Sequence, residues 1–328
     1  MPAFAGSSIT VTAGLMSGSR SMGDDVATAQ TQSPWVVEVD RAVQRYFDDK
    51  LGRDRVVLNA LRFQMREGEF CSLVGPSGCG KSTFFRLILG SEAPKGGSVR
   101  IFGNEAEEPN RDRGIVYQRY SLFPNMRVID NVVFGLELEQ VDFLMKWLWY
   151  PGFLGQRRAF VRQGLEYLEK VGLAEHAYKF PHQLSGGQQQ RVAIAQALIM
   201  KPRVLLMDEP FGALDPGTRT ELQNWLLDIH AEKKTSVFFI THDLEEAVYL
   251  ATRVMLLSQH YTLNGETSEG SKIVADIAVA KTSDREHWHT DASLQETVDT
   301  VLHTGFREGE PIPDSDFILT HPDALPTA

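Results

Sequence analysis

The residues with the most chemistry to offer run without a break: Gly75, Pro76, Ser77, Gly78, Cys79, Gly80, Lys81, Ser82 and Thr83. They follow the apolar stretch Phe70 to Val74 and lead into a helical stretch, Phe84 to Leu89. A strand, then G-x-x-x-x-G-K-S, then a helix is the context in which this pattern cradles phosphates. Its glycines let backbone N–H groups face phosphate oxygens at a helix N-terminus. Lys81 then meets the β- and γ-phosphates and the Ser82 hydroxyl ligates Mg²⁺, so a nucleoside triphosphate is the expected substrate. A glycine-rich turn matching by chance would not explain the strand and helix on either side.

A second chemical group stands at the end of the apolar run Val204 to Met207, where Asp208 and Glu209 precede Pro210. Successive side chains on a strand point to opposite sides, so the two carboxylates should have different tasks. Asp208 is placed in the Mg²⁺ shell and Glu209 as the general base that polarises the attacking water. The run Ser236 to Thr241 delivers His242 at its end, where open α/β sheets put ligand-contacting groups. Alone, an acidic strand end or a single histidine is more often structural. With the phosphate loop, Lys81, Glu209 and His242 become the catalytic candidates.

These groups need a scaffold. Continuous apolar runs at Phe70–Val74, Gly114–Tyr117, Val204–Met207, Val237–Ile240 and Val254–Leu257 predict parallel strands buried on both faces, an α/β fold. From about Arg119 to Gln183 the strands stop, and Val161, Leu165, Leu168 and Val171 form one stripe of an amphipathic helix. That region is predicted to be a helical insertion. Residues 1 to 34 have the Ser, Thr, Ala and Gly composition of a disordered tail. After Ser258 the chain turns polar, with a hairpin turn at Leu263 to Glu266, and 259–328 is set apart as a C-terminal extension.

Composition narrows the function. Of 328 residues, 42% are apolar and 23% charged, which is globular usage, and the net charge of -10 argues against nucleic acid as a partner. The only cysteines, Cys71 and Cys79, are too few and too close for a disulfide framework, which fits a reducing cytoplasm. No apolar run is long enough to span a bilayer and no signal peptide is evident, so membrane association is expected to go through a partner. His287, Trp288 and His289 are too sparse a set for a metal site.

The most specific signal is Leu184, Ser185, Gly186, Gly187, Gln188 and on to Arg191, just ahead of the acidic strand. Ser185 can cap a helix beginning near Gln188, and the two glycines let that N-terminus approach an anion. The stretch resembles the signature motif of ABC ATPases. The resemblance covers about Val36 to Ser258 and implies a P-loop NTPase fold of ABC type. That fold has a mostly parallel core sheet, an antiparallel β-subdomain and an inserted helical subdomain, here about 119–200. It also implies an ATPase acting as a head-to-tail dimer with a second ABC ATPase subunit, expected to be a homodimer, in which the signature of one subunit meets the γ-phosphate of ATP held by the other. Gln118 resembles the Q-loop glutamine, which touches Mg²⁺ and senses the permease. Gly212 to Asp215 resembles the D-loop. Tyr46 resembles the aromatic that stacks on adenine, with Phe47 beside it as a substitute.

One ATPase domain without a spanning segment looks like the separate ATPase subunit of an importer on the cytoplasmic face of the membrane, working with a permease and, indirectly, a solute-binding protein. Thr241 to Val248, Ala251 to Ser258 and Ile273 to Val279 resemble the nitrate, sulfonate and taurine group. Tyr120 to Met126 is closer to the form in polyamine and sugar importers, which remains the alternative. Those importers usually carry a long C-terminal β-domain, for which the residues after Ser258 look too few. The aromatic stretch 141–155, with Trp147 and Trp149, looks like an insertion, either packed into the helical subdomain or forming an apolar docking patch. A soluble repair or translation ATPase would call for tandem domains, heptads, zinc cysteines or a basic surface. A regulatory module without turnover would be expected to lack Glu209 or Lys81.

Overall fold

The computed structural model describes residues 34–50, 52–118, 121–139, 150–212, 214–281, 288–305 and 311–326, with 150–154 described by backbone alone. The predicted tail up to residue 33, Tyr120, the aromatic stretch at 141–149, Ala213 and His287 lie outside the described residues.

A seven-stranded sheet carries the site. Its order is β14 (Ile318–Leu319), β12 (Lys272–Ala278), β9 (Arg253–Ser258), β3 (Phe70–Val74), β8 (Ser236–Ile240), β7 (Val204–Asp208) and β6 (Arg113–Val116). From β9 to β6 every pairing is parallel, whereas β12 runs antiparallel to β9. Strands β3, β8 and β9 are buried along their whole length, which is why they read as unbroken apolar runs. The strand period of two sorts their side chains into two cores. Leu73, Leu206, Phe238, Met255 and Leu257 face one core with Phe63 and Phe84. Phe70, Leu205, Met207, Val237, Phe239 and Leu256 face the other. Each fully buried Leu, Met or Phe contributes on the order of 1.5–3 kcal/mol.

The first core lies beneath α1 (Lys81–Leu89) and a second, antiparallel sheet ordered β2 (Arg53–Arg66), β1 (Trp35–Asp48), β4 (Gly96–Ile101) and β5 (Asn104–Glu105). The second core fills beneath α2 (Val128–Glu139), α3 (Tyr150–Lys170) and α4 (Gly186–Ile199). On α3 the predicted stripe holds: Leu168 is buried, and Val161 and Leu165 pack half-buried against the core. Gly164 lets α2 and α3 approach, since a Cβ there would lie 2.7 Å from both Ile129 and Val133 side-chain carbons. Among the described residues, the helical elements between Val116 and Val204 are not interrupted by a strand.

The boundary drawn at Ser258 falls inside the sheet. Strand β12 continues it beyond that residue, and β14 forms its edge. The strands β10 (Tyr261–Leu263) and β11 (Glu266–Thr267) lie between β9 and β12, and α7 (Ala292–Gly305) and β13 (Ile312–Pro313) between β12 and β14, the helices α5 (Pro216–Lys233) and α6 (Leu244–Leu250) having preceded β9. Asn264 and Gly265, both at positive φ, make the expected hairpin turn between β10 and β11. The described residues from 34 to 326 thus pack as one unit, and the polar look of the region after Ser258 has a specific source. Lys272 and Asp276 of β12 are buried, and Asp276 receives a bidentate guanidinium: Arg253 Nε and Nη2 each donate to it at 2.7 Å. Arg253 also donates to Gln64 O at 2.7 Å and to Glu69 at 3.2 Å. Asp323, near the end of the described chain, clamps Arg66 through two bonds of 2.5 and 2.6 Å.

Candidate nucleotide site

Between β3 and α1 the chain turns tightly. Gly75 has φ +154°, and a Cβ there would lie 2.3 Å from Leu257 O and 2.9 Å from Cys79 Sγ, so only glycine fits. Cys79 is buried beneath the turn, and burial pushes its thiol up, as it does that of Cys71. Neither cysteine offers a thiolate, and the Cys79 side chain faces the core instead of the cleft. Lys81 is nearly buried and donates to Gly75 O at 2.7 Å and Pro76 O at 3.1 Å, which holds its ammonium over the loop.

A cleft of about 440 Å³ opens above the turn. Ser77, Gly78, Gly80, Lys81, Ser82 and Thr83 form its floor, and Asp208 and Glu209 stand at one side. Tyr46 closes another side, with Arg55 directly opposite it on the β1–β2 hairpin. The Tyr46 hydroxyl donates to Glu92 at 2.7 Å and accepts from Arg86 at 3.1 Å, which fixes its ring. Phe47, the substitute weighed from the sequence, is exposed and does not line the cleft, because neighbours on a strand point to opposite sides. Arg55, Val56, Val57, Arg86 and Gln259 also line the cleft and were not singled out in the sequence. The register of the β1–β2 hairpin would have found Arg55, since it pairs with Tyr46.

The ends of three adjacent strands bring the remaining candidates together. Gln118 follows β6, Glu209 follows β7 and His242 follows β8. Gln118 Nε2 donates to Glu209 Oε2 at 2.8 Å, and His242 Nδ1 lies 3.3 Å from the same oxygen. Glu209 has φ +46°, a left-handed backbone that costs a non-glycine residue about 1–3 kcal/mol and persists only when the surroundings enforce it. Its N–H donates to Ile240 O at 2.9 Å, pinning the turn to β8. Asp208 meets the opposite condition. Burial pushes its carboxyl up, the neighbouring Glu209 adds to the rise, and Lys81 and Arg86 oppose it.

That environment suits a cation. Ser82 Oγ, an Asp208 oxygen and the Gln118 carbonyl oxygen are hard donors, as Mg²⁺ requires, and a divalent charge would relieve the Asp208 penalty. Among the described residues no three His, Cys, Asp or Glu gather as a ligand cage. Mg²⁺ commonly binds through one or two protein groups with substrate phosphates completing its shell.

The residues of the predicted signature, Ser185 to Gln188, stand elsewhere. Ser185 caps α4, its hydroxyl accepting from Gln188 N at 3.3 Å while Gln188 Oε1 accepts from Ser185 N at 3.0 Å. Asp215 caps α5 by accepting from Thr218 N at 3.0 Å, and that bond holds its carboxyl below the usual range. None of Ser185, Gly186, Gly187, Gln188 and Asp215 lines the cleft beside Lys81.

A phosphate loop between β3 and α1, with an acidic strand end beside it, defines the class of P-loop nucleoside triphosphatases. Residues 58–212 match the ABC transporter family. The nitrate import ATP-binding protein NrtD of Synechocystis sp. is 44% identical over 216 residues, which cover 66% of this chain and 76% of that protein. The taurine import ATP-binding protein TauB of Chromobacterium violaceum is 42% identical over 219 residues, covering 67% and 77%. The aliphatic sulfonates import ATP-binding protein SsuB of Bacillus cereus is 38% identical over 217 residues, covering 66% and 79%. Among solved structures, the ATP-binding cassette MJ0796, a dimer in a post-hydrolysis state bound to ADP and Pi, superposes with TM-score 0.61 at 27% identity. It covers 75% of this chain and 100% of its own. The chain belongs to the ABC transporter family, as one of its ATP-binding, ATP-hydrolysing subunits.

Proposed function

We propose that this subunit couples MgATP binding, dimer closure and hydrolysis to uptake of a small oxyanion, such as nitrate, a sulfonate or taurine, through a separate membrane permease. The observation that carries the reading is the division of the site. The cleft holds the phosphate loop, Asp208 and Glu209, while the capped, glycine-bearing start of α4 is no part of its lining. A second subunit set head to tail would bring its own Ser185 to Gln188 and Asp215 to the open side of the cleft.

In this reading Tyr46 stacks on adenine and the backbone of Gly75 to Thr83 cradles the phosphates. Lys81 leaves its loop carbonyls to meet the β- and γ-phosphates. Ser82, Asp208 and Gln118 would hold Mg²⁺, which supplies charge neutralisation between the β- and γ-phosphates. Glu209 takes a proton from the attacking water as its oxygen bonds to the γ-phosphorus and the bond to ADP breaks. His242, held beside Glu209, contacts the γ-phosphate and the water. Among the described residues no helix is long and apolar enough to cross a membrane, so a partner permease fits peripheral work on the cytoplasmic face. That the similar proteins NrtD, TauB and SsuB are import ATP-binding proteins for nitrate, taurine and aliphatic sulfonates supports the oxyanion class.

The test is to purify the tagged chain from its native membranes, identify co-purifying proteins, and measure ATP hydrolysis of the recovered complex with candidate anions. Recovery of an integral permease and a solute-binding protein, with hydrolysis stimulated by nitrate, a sulfonate or taurine, is expected. Stimulation by a sugar or polyamine instead would move the cargo to the alternative group. Recovery as a soluble ATPase with no membrane partner would overturn the importer reading.

A further inference from the structure

His242 stands exposed at the start of a short helix, yet the turn that carries it is bolted to a buried carboxylate that no part of the proposed chemistry uses. Glu246, on the first turn of α6, is only 7% exposed. Its Oε2 accepts from the Thr241 hydroxyl at 2.5 Å, and its Oε1 accepts from Gln223 Nε2 at 2.9 Å. The Thr241 oxygen in turn accepts from Asp243 N at 3.1 Å, and Asp243 Oδ1 accepts from Glu246 N at 3.1 Å. Both neighbours of His242 are therefore tied to Glu246, which holds the backbone that carries the histidine between them.

The same network reaches α5. Arg219 Nη1 lies 3.7 Å from Asp243 Oδ2, Gln223 binds Glu246 one turn further along, and the Tyr249 hydroxyl donates to Asn224 Oδ1 at 2.5 Å. Three polar rungs thus join α5 to α6. At its start α5 is capped by Asp215, with Arg219 N donating to Asp215 O at 2.9 Å. Gln223 is 7% and Thr241 2% exposed, so the central rung is dry, and removing one partner would leave the other unsatisfied.

We infer that Glu246 is a positioning residue: it fixes His242 against Glu209 and, through Gln223 and Arg219, ties that placement to the turn at Asp215. An Asp215 turn displaced by a second subunit would then carry His242 with it, because a helix transmits displacement along its axis. The inference rests on the reading of Glu209 and His242 given above.

The test is a double-mutant cycle on the full chain, reading kcat and KM for MgATP together with thermal midpoint. Glu246→Ala should lower kcat by about 10²-fold, the cost of a roughly 1 Å misplacement, while KM changes by less than about threefold. The His242→Ala, Glu246→Ala double variant should be no slower than His242→Ala alone, since both act through one contact. Losses that multiply, or parental kcat in Glu246→Ala, would overturn the inference. If Glu246→Ala does not fold, Thr241→Val breaks the same link by removing a single hydroxyl, and a parental kcat there would overturn it equally. Glu209→Gln serves as the reference: if it turns over at the parental rate, the catalytic reading fails. If it is slow while Glu246→Ala is not, only the positioning role fails.

Discussion

Two clusters of charge in this molecule are built on opposite terms. Around Arg253 the charges are buried and matched: the guanidinium bonds Asp276, Glu69 and Gln64 O, and its pKa is raised despite burial because those partners favour the cation. At the cleft, Asp208 and Glu209 sit side by side with Glu209 in a strained backbone, and the Asp208 carboxyl is pushed up by burial and by its neighbour. The first arrangement ties β9 to β12, to β2 and to the segment around Asp323. The second leaves the Asp208 carboxyl buried beside a like charge, a condition that a bound cation would relieve. Strain and like charge concentrate where chemistry is expected, and matched charge where the fold is held.

Breaking each cluster should therefore damage a different property. Arg253→Ala leaves Asp276 and Glu69 as uncompensated buried carboxylates and should cost about 3–5 kcal/mol of stability, read by denaturant unfolding. The turnover of the fraction that remains folded should change little. A variant that also replaces Asp276 with Leu should recover part of that loss, because the stranded charge is removed with its partner. Lys81→Ala should do the reverse. Unfolding should shift little, while MgATP hydrolysis should fall by at least about 10²–10³-fold, the typical cost of removing one preorganised charge stabiliser.

The distinction can be sharpened at Asp208. For an acid whose folded pKa lies above its unfolded value, stability falls as pH rises from the unfolded value to the raised folded one. Asp208→Asn removes that slope. In buffer free of nucleotide and divalent cations, its thermal midpoint near neutral pH should exceed the parental one by about 2 °C, while its MgATP hydrolysis collapses. A midpoint below the parental one would mean that the Asp208 charge is better matched than its burial and neighbours indicate. Smaller still is the effect expected at Tyr46. Tyr46→Phe keeps the ring but releases Glu92 and Arg86, and should raise KM for ATP by about twofold to tenfold with kcat preserved.

The cleft was legible in the sequence because its chemistry dictates local spacing. Glycines, Lys81 and Ser82 must be adjacent to wrap a phosphate, Asp208 and Glu209 must end one strand, and Ser185 must lie three residues before Gln188 to form a capping box. The five core strands were readable because burial on both faces leaves no polar alternation. The Arg253 cluster had no such signature. Its members stand at positions 69, 253, 276 and 323, and only the fold makes them neighbours. Their polarity gave the region past Ser258 the look of an appendage, although β12 extends the central sheet. The left-handed backbone at Glu209 was likewise invisible, since glutamate carries no preference for it. The Thr241–Glu246–Gln223 contacts join residues from three elements, and nothing in their local sequence announces them.

The shared, two-subunit site is tested most directly by the mass of Glu209→Gln in solution with and without saturating MgATP, measured by sedimentation or light scattering. The arrangement predicts a monomer that becomes a stable dimer on adding MgATP and reverts when Mg²⁺ is chelated, because ATP is held but hydrolysed slowly. A variant that binds MgATP yet stays monomeric at saturation would contradict the head-to-tail site, and with it the role given to the Ser185 helix start.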